Sequence, residues 1–258
     1  MIESKNMETE NKDTILKIIN ELEGISFNDS QPYSEDAKVF FQDRYFEIIK
    51  RLPKIKKNDT GLEVGLAGGV LATVITTVFR PKKLFALEHP FTVKQYTKQF
   101  LDKINKNNIQ IEPVDLRKGK LPWKDNFFDF ILFCDVIEHL VPAEVPAIMG
   151  EFNRILKKNG FLVIVTPNMS SMLKRINLLR GKNPIEFDLR LHEGATYGHI
   201  REYTMHELTE IAKNKNFKVK KKGYFMIDTK RSIFTRIENM ASSVYNPLAN
   251  SLVLILTK

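Results

Sequence analysis

Hydrophobic and polar positions alternate between two patterns from Thr60 onward. Short apolar runs are typical of strands, and apolar residues three and four apart are typical of helices. Strands are predicted over Gly61–Gly65, Lys83–Glu88, Ile109–Pro113, Phe128–Cys134, Phe161–Thr166, Phe217–Phe225 and Ser251–Thr257. Helices are predicted between them over 69–79, 92–105, 143–158 and 205–215. This alternation predicts βαβ units and a doubly wound α/β sheet of mostly parallel strands, in which the last two strands could form an antiparallel pair at one edge.

The N-terminal part of the chain carries helical spacing and no strand pattern. Helices are predicted over 14–22 and 35–51, and Pro53 ends the second of them. We therefore predict an N-terminal helical extension over residues 1–57 and one α/β domain over residues 58–258.

The charge of the chain indicates anionic partners. Lysine and arginine number 40 against 31 acidic residues, for a net charge of +9, which favours nucleic acid, phosphorylated small molecules or a membrane surface. A solvated, lysine-rich surface would explain the same surplus. No apolar run approaches the roughly 18 residues that span a bilayer, and the first residues are too polar for a signal peptide. Cys134 is the single cysteine, so we expect a cytoplasmic protein with this residue buried in a strand.

A glycine-rich turn follows the first predicted strand, in the sequence GLEVGLAGG. The small residues Gly65, Ala67 and Gly69 let the backbone approach a ligand closely. Glu88 ends the second strand, where an ionised carboxylate can accept hydrogen bonds from both hydroxyls of a ribose. Asp115 follows the third strand, where it could accept a hydrogen bond from an adenine amino group.

With the sequences that follow it, this turn resembles the class I S-adenosylmethionine-dependent methyltransferases. The resemblance rests on the turn, the acid ending the second strand, VDL, FDFILFCDVIEHL and a strand ending in TPN. It is closest to the branch that contains ubiquinone-biosynthesis O-methyltransferases and many small-molecule and glycan methyltransferases, whose histidine-containing loop before a helix is similar to GHIREYTMHELTEIAKNKNFKV. The resemblance implies a Rossmann-like, seven-stranded sheet whose last strand is antiparallel.

The same resemblance implies S-adenosylmethionine as the cofactor. The predicted cofactor-binding residues are Glu63, Gly65, Ala67, Gly69, Glu88, Asp115 and Asp135. Gly65 and Gly69 would lie under the methionine part of the cofactor, and Ala67 stands where the family usually has glycine. Glu63 matches the family's acid within the first strand, which would support the turn and the cofactor's amino group.

A second polar cluster follows the fourth strand, in the sequence DVIEH. Residues three and four apart share a face of a helical turn, so Asp135, Glu138 and His139 could converge beyond the carboxyl end of the sheet. Methyl transfer to a hydroxyl needs an aligned nucleophile and removal of its proton. We assign His139, His199 and Asp135 as catalytic candidates, with either histidine as the general base because imidazole titrates near neutrality.

A divalent cation is the other route to an activated hydroxyl. The acid-x-x-Glu-His turn and a distant histidine are similar to the metal site of small-RNA 3′-terminal ribose methyltransferases. This similarity implies Asp135, Glu138, His139 and His199 as ligands of Mg²⁺ or another divalent cation, which would lower the pKa of a bound substrate hydroxyl. Asp135 departs from that pattern, which usually has glutamate there. The alternative is a Glu-His pair that packs and caps without a metal.

The connection over about residues 168–203 is longer than packing requires, which is typical of functional loops. It carries lysines and arginines that could pair a phosphate, and the resemblance implies that it covers the substrate. We predict methyl transfer to a hydroxyl of a sugar, a nucleotide-linked sugar or a similar small molecule. Two alternatives stay open: an RNA ribose 2′-O-methyltransferase, and a non-catalytic binding protein built on the same fold.

Overall fold

A computed structural model describes residues 2–27, 31–185, 198–227 and 233–258, excluding the side chains of residues 2–7 and 233–235. The helices of the described chain are α1 Ile2–Leu22, α2 Glu35–Ile49, α3 Val70–Val78, α4 Pro90–Val93, α5 Lys98–Lys106, α6 Val145–Ile155, α7 Met172–Leu179, α8 Met205–Lys213 and α9 Ile233–Val244. The strands are β1 Thr60–Val64, β2 Lys83–Glu88, β3 Ile109–Pro113, β4 Phe128–Cys134, β5 Leu156–Pro167, β6 Lys218–Phe225 and β7 Ser251–Thr257. Short 3₁₀ turns lie at Leu116–Lys118, Ile137–His139 and Asn246–Leu248.

The strands form one seven-stranded sheet in the order β3-β2-β1-β4-β5-β7-β6. β2 pairs in parallel with both β1 and β3, whereas β7 runs antiparallel to β5 and β6. The chain moves outward from β1 to β3 and then crosses to β4, which is the strand order of a doubly wound sheet. The predicted Rossmann-like fold with an antiparallel last strand is confirmed.

Contacts between residues divide the chain into two compact units. The first comprises Met1–Lys118 and Phe128–Ile131, so the N-terminal extension belongs to the same unit as β1, β2 and β3. The second comprises Gly119–Phe127 and Leu132–Lys258. The extension is joined to its unit by the apolar face of α1, which contacts α2 and α3. The predicted domain boundary between residues 57 and 58 stays a prediction.

Helix α3 forms although its sequence, VLATVITTV, is rich in β-branched residues. All residues from Val70 to Ile75 are buried, so packing outweighs the unfavourable helix propensity. Cys134 is buried in β4, as predicted.

Three predicted helices are wrong in extent. The helix expected over 14–22 is α1, which begins at Ile2. The helix expected over 92–105 is two helices, because Tyr96 pairs with Phe27 in a short bridge and the Thr97 side chain then caps α5 by accepting a hydrogen bond from the Phe100 N–H. The helix expected over 143–158 ends at Ile155, because β5 begins at Leu156, ahead of the predicted start.

Within the described residues, no helix combines the length and the apolar character that a membrane-crossing segment requires.

Candidate active site

The glycine turn between β1 and α3 is built on left-handed backbone. Gly65, Ala67 and Gly69 have φ angles of 85°, 45° and 74°. Gly69 caps α3, and a Cβ atom there would lie 2.7 Å from the Ile104 Cδ1 atom, so a larger residue would clash. The turn therefore needs small residues for its own geometry as well as for the approach of a ligand.

Ala67 holds its unfavourable backbone geometry through two hydrogen bonds. Its N–H donates to Glu88 Oε2 at 2.9 Å, and its carbonyl accepts from the Tyr96 hydroxyl at 2.8 Å. Glu88 Oε1 also accepts from the His89 N–H at 2.7 Å. An ionised carboxylate offers about four acceptor sites, so these two bonds leave Glu88 with the capacity to accept ribose hydroxyls. The bond to Ala67 ties the end of β2 directly to the turn.

Replacing Ala67 by glycine is expected to stabilise the protein by about 0.5–1 kcal/mol, because glycine adopts a positive φ without the steric cost that alanine carries. Thermal unfolding should show a rise in Tm of about 1–4 °C. Ala72→Gly is the matched control. Ala72 lies inside α3, so this substitution should lower the free energy of unfolding by about 1 kcal/mol. Equal losses of Tm in the two variants would show that the turn stores no strain at Ala67.

Glu63 is an acid buried in β1, with 3% of its surface exposed. Its Oε2 atom has no hydrogen-bond partner in the described part of the chain. Burial, and after it the nearby charge of Glu88, raises the pKa of Glu63 well above its ordinary value. A cationic group nearby would stabilise the ionised form of Glu63, directly or through a water molecule. The amino group of S-adenosylmethionine has this charge, so the residue set fits the cofactor that the sequence implied.

Asp115 follows β3 and forms a bidentate pair with Arg117. The Arg117 Nε and Nη2 atoms donate to its two oxygens at 2.9 and 3.0 Å, and His89 Nε2 lies 3.6 Å from Oδ2. The side-chain hydrogen bond from Arg117 is the main cause that lowers the pKa of Asp115 to about 2. Arg117 was not identified from the sequence. The adenine role of Asp115 stays a prediction, now for a carboxylate held in place by an arginine.

The N-terminal extension also reaches the glycine turn, although its sequence gave no sign of chemistry. A Cβ atom at Gly68 would lie 3.4 Å from the Tyr33 hydroxyl and 3.7 Å from Ser26 Oγ. Tyr33 is half-buried, and burial raises the pKa of its hydroxyl, with Glu23 adding to the shift. Tyr33 and Ser26 therefore border the turn that the cofactor is expected to use.

The second unit holds a separate cluster of possible ligand atoms. Glu138, His139 and His199 each place one ligand atom within 4.8 Å of the others. Glu138 is buried, with 1% of its surface exposed. Carboxylate and imidazole ligands suit a divalent cation such as Mg²⁺, Mn²⁺ or Fe²⁺.

Asp135 does not belong to this group among the described residues, and its place in the predicted four-residue set stays a prediction. Its φ angle is 56°, and its N–H donates to the Val165 carbonyl, as a continuation of the β4–β5 ladder. The 3₁₀ turn begins only at Ile137. Asp135 therefore lacks the helical spacing that would have aligned it with Glu138 and His139.

Hydrogen bonds fix the tautomers of both histidines. His139 Nδ1 lies 3.0 Å from the Gly198 carbonyl, and His199 Nδ1 lies 3.1 Å from Glu202 Oε1. A carbonyl and an ionised carboxylate only accept, so each Nδ1 carries a proton, and in the neutral form of each ring Nε2 carries the lone pair. Metal-binding histidines are commonly oriented in this way by an acceptor on the opposite nitrogen.

A further set of residues supports the cluster. The Thr166 hydroxyl donates to Glu138 Oε2 at 2.9 Å, and the Ile200 and Arg201 N–H groups donate to the Glu138 carbonyl at 2.8 and 3.1 Å. Glu202 is 5% exposed and pairs with the Lys174 ammonium. The sequence analysis did not identify Thr166 or Glu202, and the spacing of Glu202 three residues after His199 is the one signal for Glu202. Lys174 is one of the lysines that were expected to pair a phosphate, and it pairs with Glu202.

The predicted substrate-covering insertion over 168–203 is only partly described. Residues 186–197 of it lie outside the described residues. The described part contains α7 and, near its end, the ion pair of Lys174 with Glu202. Covering of a substrate by this segment stays a prediction.

Comparison with known proteins points to one family. Residues 37–222 match the family model described as a methyltransferase domain. A curated relative, an uncharacterized protein of Methanocaldococcus jannaschii, is 41% identical over 54 residues, which are 21% of this chain and 23% of the relative. The match therefore spans about a quarter of that relative's length.

Solved structures share the fold at low sequence identity. A SAM-dependent methyltransferase from Archaeoglobus fulgidus is 16% identical, with a TM-score of 0.57 over 84% of this chain and 94% of its own. A Haloferax volcanii putative methyltransferase, solved in complex with the Trm112 methyltransferase activator, is 14% identical, with a TM-score of 0.57 over 88% and 99%. A possible histamine N-methyltransferase from Thermotoga maritima is 18% identical, with a TM-score of 0.52 over 83% and 86%.

Proposed function

Because this chain belongs to the methyltransferase domain family, with S-adenosylmethionine as its methyl donor, we propose that it methylates a hydroxyl group of a sugar, a nucleotide-linked sugar or a similar small molecule. The observation that carries the proposal is the cluster of Glu138, His139 and His199. Transfer to a hydroxyl requires that a proton be removed, and this cluster offers two ways to do so.

The first unit supplies the residues that would hold the cofactor. Glu88 would accept hydrogen bonds from the ribose, and Asp115 would accept one from the adenine amino group. The turn from Gly65 to Gly69 would lie beneath the methionine part, and Glu63 would compensate the charge of its amino group. When bound, the cofactor supplies a methyl group on a sulfonium, which is already a strong electrophile. The remaining task of the protein is to place and activate the acceptor.

Glu88→Ala is expected to weaken S-adenosylmethionine binding at least about tenfold, because charge-assisted hydrogen bonds contribute about 1.5–3 kcal/mol each. Isothermal titration calorimetry measures the change. Since Glu88 also accepts from Ala67, thermal unfolding of the free variant should be measured beside it. Glu210→Ala is the control, because Glu210 is an exposed acid of α8. An unchanged affinity in Glu88→Ala would refute the ribose role.

The second unit supplies the groups that would activate the acceptor. In one route, Nε2 of His139 or His199 takes the hydroxyl proton as a general base. In the other, Glu138, His139 and His199 would hold a divalent cation, which would lower the pKa of the substrate hydroxyl and fix its position. The buried Glu138 carboxylate favours the cation route, because a buried acid is stabilised by a positive charge.

RNA ribose 2′-O-methylation is the second candidate function. It is favoured by the Glu138, His139 and His199 cluster, which is similar to the metal site of RNA 3′-terminal ribose methyltransferases, and by the net charge of +9. Phosphate contacts release counterions, so RNA binding would weaken steeply with salt. Small-molecule transfer would show a much weaker dependence.

The test is methyl transfer from labelled cofactor to a pool of nucleotide sugars and, in parallel, to short RNA, each with and without EDTA. Label in the sugar pool supports the proposal, and its loss with EDTA favours the cation route. Label in RNA alone replaces the proposal with the second candidate. Absence of both label and cofactor binding would support a non-catalytic binding protein.

A further inference from the structure

Helix α9 exposes several apolar side chains and buries two polar ones. Ile237, Met240 and Val244 follow the spacing of one helix face and are 48%, 72% and 90% exposed. The polar residues Glu238 and Ser242, which are four residues apart, are buried instead. A helix whose apolar stripe faces solvent indicates that something covers the stripe.

Helix α7 continues this apolar region. Leu178 and Leu179 are 64% and 87% exposed, and Ile176 is 37% exposed. The two helices are neighbours, because the Leu173 N–H of α7 donates to the Glu238 carboxyl group of α9 at 3.2 Å. We call the combined region the α7–α9 surface. Its apolar members are Ile176, Leu178, Leu179, Ile237, Met240 and Val244.

The charges exposed beside these apolar residues are all positive. Arg175, Arg180, Lys182 and Arg236 are exposed in the described segments 172–182 and 236–245. Glu238, the acid within those segments, is buried and accepts a hydrogen bond from α7. Arg175 precedes Leu179 by four residues, and Arg236 precedes Met240 by four, so each arginine shares a helix face with an exposed apolar side chain.

We propose that the α7–α9 surface binds an anionic membrane surface. Exposed aliphatic side chains that insert at the headgroup boundary, flanked by lysine and arginine, are the features of interfacial helices. A second copy of this chain fits less well, because a symmetric contact would bring the same arginines together and like charges repel. The inference does not depend on the acceptor that the enzyme methylates.

The test is co-sedimentation of the full chain with vesicles of phosphatidylcholine alone and of phosphatidylcholine with phosphatidylglycerol. Binding is expected only to the anionic vesicles and should fall with salt. The double variant Arg175→Gln/Arg236→Gln should bind about 30-fold less tightly, because each basic residue near an anionic surface contributes about a fivefold factor. Lys218→Gln/Lys220→Gln, which removes two exposed charges from β6, should change binding less than about threefold.

The apolar part is tested by Leu179→Asp/Met240→Asp, which should lower binding at least about tenfold. Its control is Phe91→Asp, a residue that is 58% exposed outside this surface. Thermal unfolding checks that each variant is folded. Equal binding to neutral and anionic vesicles, or no binding to either, would overturn the proposal. Concentration-dependent self-association that is lost in Leu179→Asp/Met240→Asp, without vesicle binding, would also overturn it and identify a second copy as the partner.

Discussion

Glu63→Gln is expected to stabilise the cofactor-free protein and, in the same variant, to weaken S-adenosylmethionine binding about 10- to 100-fold. The two effects have one cause. Without the cofactor, the Glu63 carboxylate is buried beside Glu88 with its Oε2 atom unpartnered, which costs about 1–3 kcal/mol. With the cofactor, the same charge attracts the amino group, and a neutral amide loses that attraction.

The stability effect should depend on pH in a defined direction. Burial raises the pKa of Glu63 in the folded protein above its ordinary value of 4.5, so the folded state holds the proton over a wider pH range than the unfolded chain. The free energy of unfolding of the wild type therefore falls as pH rises from about 4.5 through the folded-state pKa. Glutamine does not titrate. The free energy of unfolding of Glu63→Gln should therefore exceed that of the wild type most above that pKa, and the difference should shrink as the pH falls toward 4.5.

Denaturant unfolding across this pH range measures the first effect, and titration calorimetry measures the second. Calorimetry in two buffers of different ionisation enthalpy adds a third readout. At a pH near the folded-state pKa, where Glu63 is partly protonated, cofactor binding should release a proton from the wild type and not from Glu63→Gln. Glu10→Gln is the control, because Glu10 is exposed on α1. A variant that binds the cofactor as tightly as the wild type would exclude Glu63 from the cofactor's charge balance.

The strands, and the acids at or just after their ends, could be predicted because each depends on local sequence. An apolar run such as LFALE specifies both a buried strand and the acid at its end, and the predicted bounds of β2 match the structure. Glycine turns are equally local, because positive φ angles restrict the residue type. The unusual Ala67 is explained by its two hydrogen bonds to Glu88 and Tyr96.

Features that depend on distant partners could not be predicted in the same way. The break between α4 and α5 depends on Phe27, which pairs with Tyr96 although it lies far earlier in the sequence, in the N-terminal extension. The Lys174 partner of Glu202 lies on α7, and no spacing rule connects them. The backbone of Asp135 is a related case, because this residue still takes part in the sheet ladder and the 3₁₀ turn begins only at Ile137.

His199→Ala is expected to lower turnover at least about 100-fold while leaving S-adenosylmethionine affinity unchanged. His199 belongs to the group of possible ligand atoms with Glu138 and His139, and it is not among the predicted cofactor contacts. Loss of a general base costs about 10²–10⁴ in rate, and loss of a cation ligand costs at least as much. His206→Ala is the matched control, because His206 is an exposed histidine of α8.

Glu202→Gln separates the two routes, because Glu202 acts through the Nδ1 atom of His199 and is a positioning residue. If a cation is bound, this variant should weaken Mn²⁺ binding about 10- to 100-fold, as loss of a residue that orients a ligand does. Binding can be followed by electron paramagnetic resonance of free Mn²⁺. If the histidine is only a base, Mn²⁺ should not bind the wild type, EDTA should not slow turnover, and the pH profile of kcat should shift in Glu202→Gln. Full turnover in His199→Ala would remove His199 from the mechanism and leave His139 as the candidate base. Full turnover in His139→Ala as well would mean that the acceptor needs no base from this cluster, as a nitrogen acceptor would not.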